Sequence, residues 1–184
     1  MKAMDVLMDE HRVIEGVLNT LEASVDHMES GLPVRAEFLL SAAEFMQGFA
    51  DGCHHQKEEG ILFKRLEEQG ISTQGCPLGV MLAEHAAGRQ YAKALKSAAQ
   101  AIQSGDTSAI RRAIMSSRSY ITLLRQHIYK EDNILFPMAE QVIPAEGHAE
   151  IMDDFEQIER EEVGEGIHQK YLAIAEKLAQ EMLQ

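Results

Sequence analysis

The sequence predicts an all-α protein: an antiparallel up-down four-helix bundle with an additional C-terminal helical segment. Three observations lead there. The 184 residues are rich in Ala, Leu, Glu and Gln, with four prolines and no tryptophan, a composition that favours helices over strands. Apolar residues recur at three- and four-residue intervals through four long stretches separated by short Gly-, Ser- and Pro-containing breaks. Each stretch also carries a histidine on its apolar stripe.

The first helix begins near Met4, with Met4, Leu7, Ile14, Leu18, Leu21, Val25 and Met28 on one face and His11 set among them; Ser30-Gly31 ends it, with Pro33 just beyond. The second runs from about Val34 to Gln69 through Leu39, Leu40, Ala43, Met46 and Ala50, then His54 and Glu58, then Ile61 and Leu62. Gly70 to Pro77 is a turn. The third, about Leu78 to Gln103, carries Leu78, Met81, Leu82, Ala92, Leu95, Ala99 and Ile102 with His85 on the same face. Ser104-Gly105-Asp106 closes it and offers Asp106 as a cap for the fourth, about Thr107 to Gln141, in which Ile110, Ile114, Ile121, Leu124, Leu135 and Met138 surround His127 and Glu131. Short connections make consecutive helices antiparallel, so residues 1–144 form the bundle and all four histidines can meet at one height.

Residues 145–184 are a helical tail. An acidic helix, with Asp153, Asp154, Glu156, Glu159, Glu161 and Glu162, breaks at Val163-Gly164-Glu165-Gly166. The last stretch then presents Ile167, Tyr171, Ile174, Leu178 and Met182 as a stripe. Such a stripe needs cover, either from the chain's own bundle or from a second copy in a homodimer.

A formal net charge of -13 argues against nucleic acid or an anionic membrane as partner and leaves cations as natural ligands. The acidic start, Met1 to Glu10, does not read as a signal peptide, and no run approaches the roughly 20 apolar residues of a membrane span. Cys53 and Cys76 have no C-x-x-C spacing. A cytoplasmic location is expected.

The chemistry is concentrated in a repeated device. His54-His55-Gln56-Lys57-Glu58-Glu59-Gly60-Ile61-Leu62-Phe63 recurs as His127-Ile128-Tyr129-Lys130-Glu131-Asp132-Asn133-Ile134-Leu135-Phe136. Four helical residues advance about 400° and roughly 6 Å, so His54 with Glu58, and His127 with Glu131, point the same way from adjacent turns. Burying four imidazoles and two carboxylates without compensation costs several kcal/mol, and one shared positive charge relieves them all. A pair of metal ions supplies it, bridged by Glu58 and Glu131 and completed by His11, His54, His85 and His127, two imidazoles to each ion. Imidazole with carboxylate and no thiolate suits iron, manganese or zinc.

Other residues carry weaker signals. His55 and Glu59 lie about 100° round from His54 and Glu58 and read as a solvated or interhelical pair. Glu15 is a salt-bridge partner or an extra ligand; Glu84 is a neighbour of His85; Tyr120 fills core or reaches the site; Cys53 is a buried thiol. His27, His148 and His168 read as surface residues.

The four motifs resemble those of hemerythrin-like proteins of the HHE cation-binding family, which place a His on helix one, H-x3-E on helix two, a His on helix three and H-x3-E on helix four. His11, His54 with Glu58, His85, and His127 with Glu131 follow that order, and the resemblance covers roughly residues 5 to 141. It implies a non-haem di-iron centre, two iron ions with zinc or manganese as substitutes, and a small diatomic ligand or peroxide as partner. Oxygen-carrying members have a fifth histidine four residues after the helix-three ligand, where this chain has Arg89. Their last ligand is an Asp at the spacing of Asp132, which a regular helix turns away from His127, leaving Glu131 in its place. The four-His, two-Glu set is similar to the iron–sulfur-cluster repair branch, which usually adds a cysteine-rich N-terminal domain. The leading expectation is therefore a di-iron protein that binds or responds to O2, NO or peroxide. Iron handling or repair is the alternative, and an interaction protein with a structural metal is the second. No side-chain nucleophile with an organising base is apparent, so any turnover would be metal-based.

Overall fold

The computed structural model describes residues 2–164 and 166–182. Glu165 of the predicted break lies outside them, as do the side chains of Glu161, Glu162 and Val163. The described residues are helical, without strands. Helix α1 spans Ala3–Glu29, α2 residues 36–68, α3 Leu78–Gln103, α4 residues 110–142, α5 Ala145–Ile158 and α6 Ile167–Met182.

Two of these helices are not uniform. Helix α2 widens to π-helical geometry over Met46–His55 and again over Glu58–Leu62, and α4 does so over Glu131–Leu135. A further π-helical turn, Glu159–Gly164, follows α5. Helix ends follow the sequence signals. Gly31, Gly70 and Gly105 adopt left-handed φ values of 76°, 88° and 95°, and the next N–H closes back on the helix in each case, as from Leu32 to the His27 carbonyl at 2.9 Å. The Asp106 carboxylate accepts from the Ser108 N–H at 3.0 Å ahead of α4.

Helix α3 packs against α2 and α4, and α1 against α4; α6 lies along both α1 and α2. The apolar faces meet in two clusters. One joins Ile14 to Met28 of α1, Phe38 to Ala50 of α2, Ala92 to Ala99 of α3 and Ala113 to Ile128 of α4. The other joins Met4 and Leu7, Ile61 to Leu66, Leu78 and Met81, and Leu135 to Ile143. Helices α1 and α3 thus run from the second cluster to the first, and α2 and α4 run back. Each buried Leu or Phe contributes about 1.5–3 kcal/mol, and together they enclose a polar layer between them.

The tail joins both clusters. Ile151 and Phe155 of α5 are buried in the second, Leu178 of α6 in the first, and Tyr171, Ile174 and Met182 pack against it. The chain's own helices therefore cover the tail stripe. The Tyr171 ring sits directly over Gly48, where a Cβ would lie 1.9 Å from it. Among the described residues no helix is long and apolar enough to cross a membrane.

Candidate metal centre

The layer between the clusters holds His11 from α1, His54, His55 and Glu58 from α2, His85 from α3, and His127 and Glu131 from α4, all buried. The six residues that the sequence singled out come together. His55 joins them: it is buried and meets α3, which excludes the solvated reading of the His55 and Glu59 pair and leaves the interhelical one. A regular α-helix would turn it about 100° away from His54, but it ends the π-helical Met46–His55 segment, whose wider turn lets both neighbours face inward.

Glu58 places Oε1 3.5 Å from His54 Nε2 and Oε2 3.4 Å from His85 Nε2. Glu131 Oε2 is 3.2 Å from His11 Nε2 and 3.1 Å from His127 Nε2, and Oε1 is 3.9 Å from His85 Nε2. Two groups with ligand atoms within 4.8 Å of one another result: His55, Glu58, His85 and His127, and His11, His54, Glu58 and Glu131. Glu58 belongs to both. The division of imidazoles is three and two, where the sequence suggested two and two.

Every ring is held from behind. The Nδ1 atoms of His11, His54, His85 and His127 lie 2.6, 2.9, 2.7 and 2.9 Å from carboxylate oxygens of Asp132, Glu10, Glu59 and Glu84. His55 Nδ1 is 3.3 Å from Asp51. An ionised carboxylate only accepts, so each Nδ1 carries a proton and each Nε2 faces inward, the orientation of a metal-binding histidine. Every carboxylate in turn meets a cation: Arg12 on Asp132, Lys57 on Glu10, Lys130 on Glu84, and Arg89 on Asp51 and Glu59 at 2.7 and 2.6 Å.

The repeat explains this outer ring. The lysine three residues after each motif histidine, Lys57 or Lys130, holds the carboxylate behind that histidine. The acid following each motif glutamate, Glu59 or Asp132, holds the histidine of another helix. Glu10, Asp51 and Lys57 were missed in the sequence, although the shared Lys-Glu-acid triplet was the available signal for the lysine. Asp132 does turn away from His127, and it meets His11. Glu59 supports His85, not His55. Glu84 supports His127, and Glu15 pairs with Arg12 at 3.0 Å. Arg89 stands where a fifth histidine was sought, and His55 brings the fifth imidazole from α2 instead.

Four further residues lie outside the centre. His168 and His148 are half-buried, not surface residues, whereas His27 is exposed. Cys53 is buried, and burial pushes its thiol up to about 11.

The inner atoms lack the protein partners that the outer ones have. His11 Nε2, His54 Nε2, His55 Nε2 and all four carboxylate oxygens of Glu58 and Glu131 are buried without a hydrogen bond, and His85 Nε2 faces His127 Nε2 at 3.0 Å. Burial, then the charge of Glu131, holds the Glu58 carboxyl well above its usual range. Burial opposes ionisation of Glu131 too, but His127 and His11 outweigh it and hold it low. Burial brings His54 down to about 4 against its bond to Glu10, whereas in His127 Glu131 and Glu84 overcome burial and raise it to about 9. Two carboxylates and five converging imidazole nitrogens in one dry layer call for positive charge at its centre, whether from protons or from metal ions. This donor set fits metal ions.

A cavity of about 220 Å³ between α2 and α3 is lined by Met46, Asp51, His55, Gly88, Arg89 and Tyr120 among others. Its wall includes His55 on the side held by Arg89.

Comparison with known proteins agrees with this chemistry. The family described as hemerythrin HHE cation binding domain matches residues 2–139. The uncharacterized proteins Rv1995 of Mycobacterium tuberculosis and Mb2018 of Mycobacterium bovis are each 26% identical over 163 residues, 89% of this chain and 63% of theirs. The iron-sulfur cluster repair protein YtfE of Yersinia pseudotuberculosis is 35% identical over 88 residues, 47% of this chain and 40% of its own. The chain thus spans less than two thirds of the length of these curated relatives. No solved structure matches.

Proposed function

The chain belongs to the hemerythrin HHE cation-binding family, and on that premise we propose that it holds a non-haem di-iron centre that binds or responds to O2, NO or peroxide. The observation that carries this reading is the convergence of five inward Nε2 atoms on two buried carboxylates that meet these imidazoles. His55, His85, His127 and Glu58 would hold one ion, and His11, His54, Glu58 and Glu131 the other. In this reading α1 to α4 form an antiparallel four-helix bundle over residues 1–144, with 145–184 laid along it as a tail, in a cytoplasmic protein. Zinc and manganese are substitutes for iron, since the same imidazole and carboxylate donors accept them.

Iron held in this way supplies redox chemistry toward oxygen, nitric oxide or peroxide. The chain's own residues do the rest. The outer carboxylates fix the imidazole tautomers, the two apolar clusters exclude water from above and below, and the cavity beside His55 admits a small molecule. Arg89, bridging Asp51 and Glu59 on the cavity wall, controls the width of that approach.

Metal analysis of protein purified without oxygen, followed by its visible spectrum as air is admitted, tests the proposal. About two irons per chain are expected, with a near-ultraviolet band on oxidation that Glu58→Ala with Glu131→Ala abolishes. Zinc alone, or one metal indifferent to those substitutions, overturns it in favour of a structural site. A second reading, iron handling or repair of iron–sulfur centres, is favoured by the likeness to YtfE. It predicts iron that passes readily to an apo-cluster acceptor instead of persisting through redox cycles.

A further inference from the structure

The two repeated motifs build matching arms behind the centre, and among the described residues the tail pairs with the α2 arm. In the α4 arm Lys130 reaches Glu84, which holds His127, and the lysine side chain remains 30% exposed. In the α2 arm Lys57 reaches Glu10, which holds His54, yet this lysine is 0% exposed. The difference is Glu159, at the end of the tail's first helix, whose Oε1 accepts a second hydrogen bond from Lys57 Nζ at 2.5 Å. A fully buried ammonium is costly unless paired and hydrogen-bonded. Here its two partners come from α1 and from the tail.

The geometry points to Glu159 as a positioning residue that acts through Lys57 and Glu10 on His54, so that the C-terminal segment tunes how firmly the His54 half of the centre holds its metal. The inference rests on the di-metal reading above. Glu10 accepts from His54 Nδ1 on Oε2 and from Lys57 on Oε1. An ammonium shared with Glu159 draws less on Glu10, which leaves Glu10 the stronger acceptor for the His54 proton and His54 Nε2 the stronger donor to a metal.

The tail is seated to keep this contact. Phe155 lies in the second apolar cluster with its ring centroid 6.0 Å from Lys57 Nζ, Ile158 comes against Gly60, and Tyr171 occupies the space over Gly48. His168 Nδ1 stands 3.6 Å from Glu159 and 3.8 Å from Glu10. This group is no third metal site, because the Lys57 ammonium already supplies its cation.

The test compares the full-length wild type with Glu159→Gln, with Glu156→Gln as an exposed control one turn earlier, and with Lys57→Met alone and combined with Glu159→Gln. Ferrous iron is loaded without oxygen and its release to a colorimetric chelator is followed. Direct removal of a supporting residue typically costs 10–100-fold in metal affinity, so two links further out about a threefold faster release of one of the two ions is expected in Glu159→Gln. Glu156→Gln leaves release unchanged, and Glu159→Gln adds nothing in the Lys57→Met background. In metal-free protein the Nδ1–H resonance of His54 shifts in Glu159→Gln and that of His127 does not.

Wild-type release rates and an unmoved His54 resonance in Glu159→Gln overturn the inference, as does an equal effect from Glu156→Gln. Should Lys57→Met fail to fold, the two glutamate variants decide. If the wild type takes up no iron, the di-iron reading fails by itself; the metal-free imidazole spectra then decide the coupling, a shifted His54 resonance sustaining it and an unmoved one refuting it.

Discussion

The imidazole of His55 lies flat against that of His85, with ring centroids 3.7 Å apart and planes inclined by 13°. Stacking sets two ring nitrogens side by side at one of the proposed ion positions, and it lets the packing role of His55 be tested apart from its proposed donor role. His55→Phe keeps an aromatic ring over His85 and removes Nε2. Metal analysis should find the content of the iron-loaded protein falling from about two ions to one, with helicity by circular dichroism unchanged. Two retained ions with an unaltered spectrum would make His55 a packing residue only.

Asp132 supports His11 from a partly exposed position, 17% open to solvent, in company with the more exposed Arg12. Asp132→Asn should therefore have little effect on folding, within about 1 kcal/mol, yet weaken metal binding at the His11 half by about 10–100-fold. Competition titration against a chelator measures the second effect and thermal melting the first. A loss of stability with affinity intact would contradict the assigned role.

The metal-free protein should lose stability on both sides of neutrality. His54, lowered to about 4 from an ordinary 6.5, binds fewer protons folded than unfolded, so the stability it contributes above 6.5 is lost as pH falls through 4. His127, raised to about 9, works in the opposite sense: its contribution is full below 6.5 and is lost as pH rises through 9. Melting temperatures from pH 4 to 10 should show both slopes, and saturating metal should remove the alkaline one, because the metal replaces the proton on His127. An alkaline slope that survives metal loading would count against His127 as a ligand.

Gly48 is the seat of Tyr171, and a Cβ there would stand 1.9 Å from the ring. Replacing a helical Gly with Ala ordinarily gains about 1 kcal/mol, but overpacking costs about 1–3 kcal/mol. Gly48→Ala should thus be destabilising in urea unfolding. Tyr171→Ala in the same chain should recover part of the loss, making the pair less harmful than the sum of its members. Additive losses would mean that the two positions do not meet.

Six inward residues were legible because His11, His54, Glu58, His85, His127 and Glu131 obey the same 3.6-residue period as the apolar positions around them. The helix boundaries were legible from Gly31, Pro33, Gly105, Asp106 and Pro144. His55 was not, because that reading assumes a uniform helix and the widening at Met46–His55 leaves no mark in hydrophobic periodicity. Glu10 and Lys57 were not either, since their partnership spans 47 positions and a charged residue beside an apolar stripe ordinarily faces water. The stripe of α6 could be read, but Gly48 as its counterpart could not, because a glycine within a helix signals weakness before it signals a socket.

Both motif glutamates open π-helical turns, Glu58–Leu62 and Glu131–Leu135. A π-turn accommodates one residue more than the α-turn it interrupts, which makes the response of this centre to a kind of change that substitution scans never sample depend on where it falls. Loss of a single codon within either turn would let it relax to ordinary winding with its flanks in register, whereas the same loss in the regular winding of α4 over Ile110–Lys130 would rotate everything on one side of it by about 100° relative to the other. Every side chain would survive, yet the imidazoles and carboxylates of one helix would no longer address the same point in space.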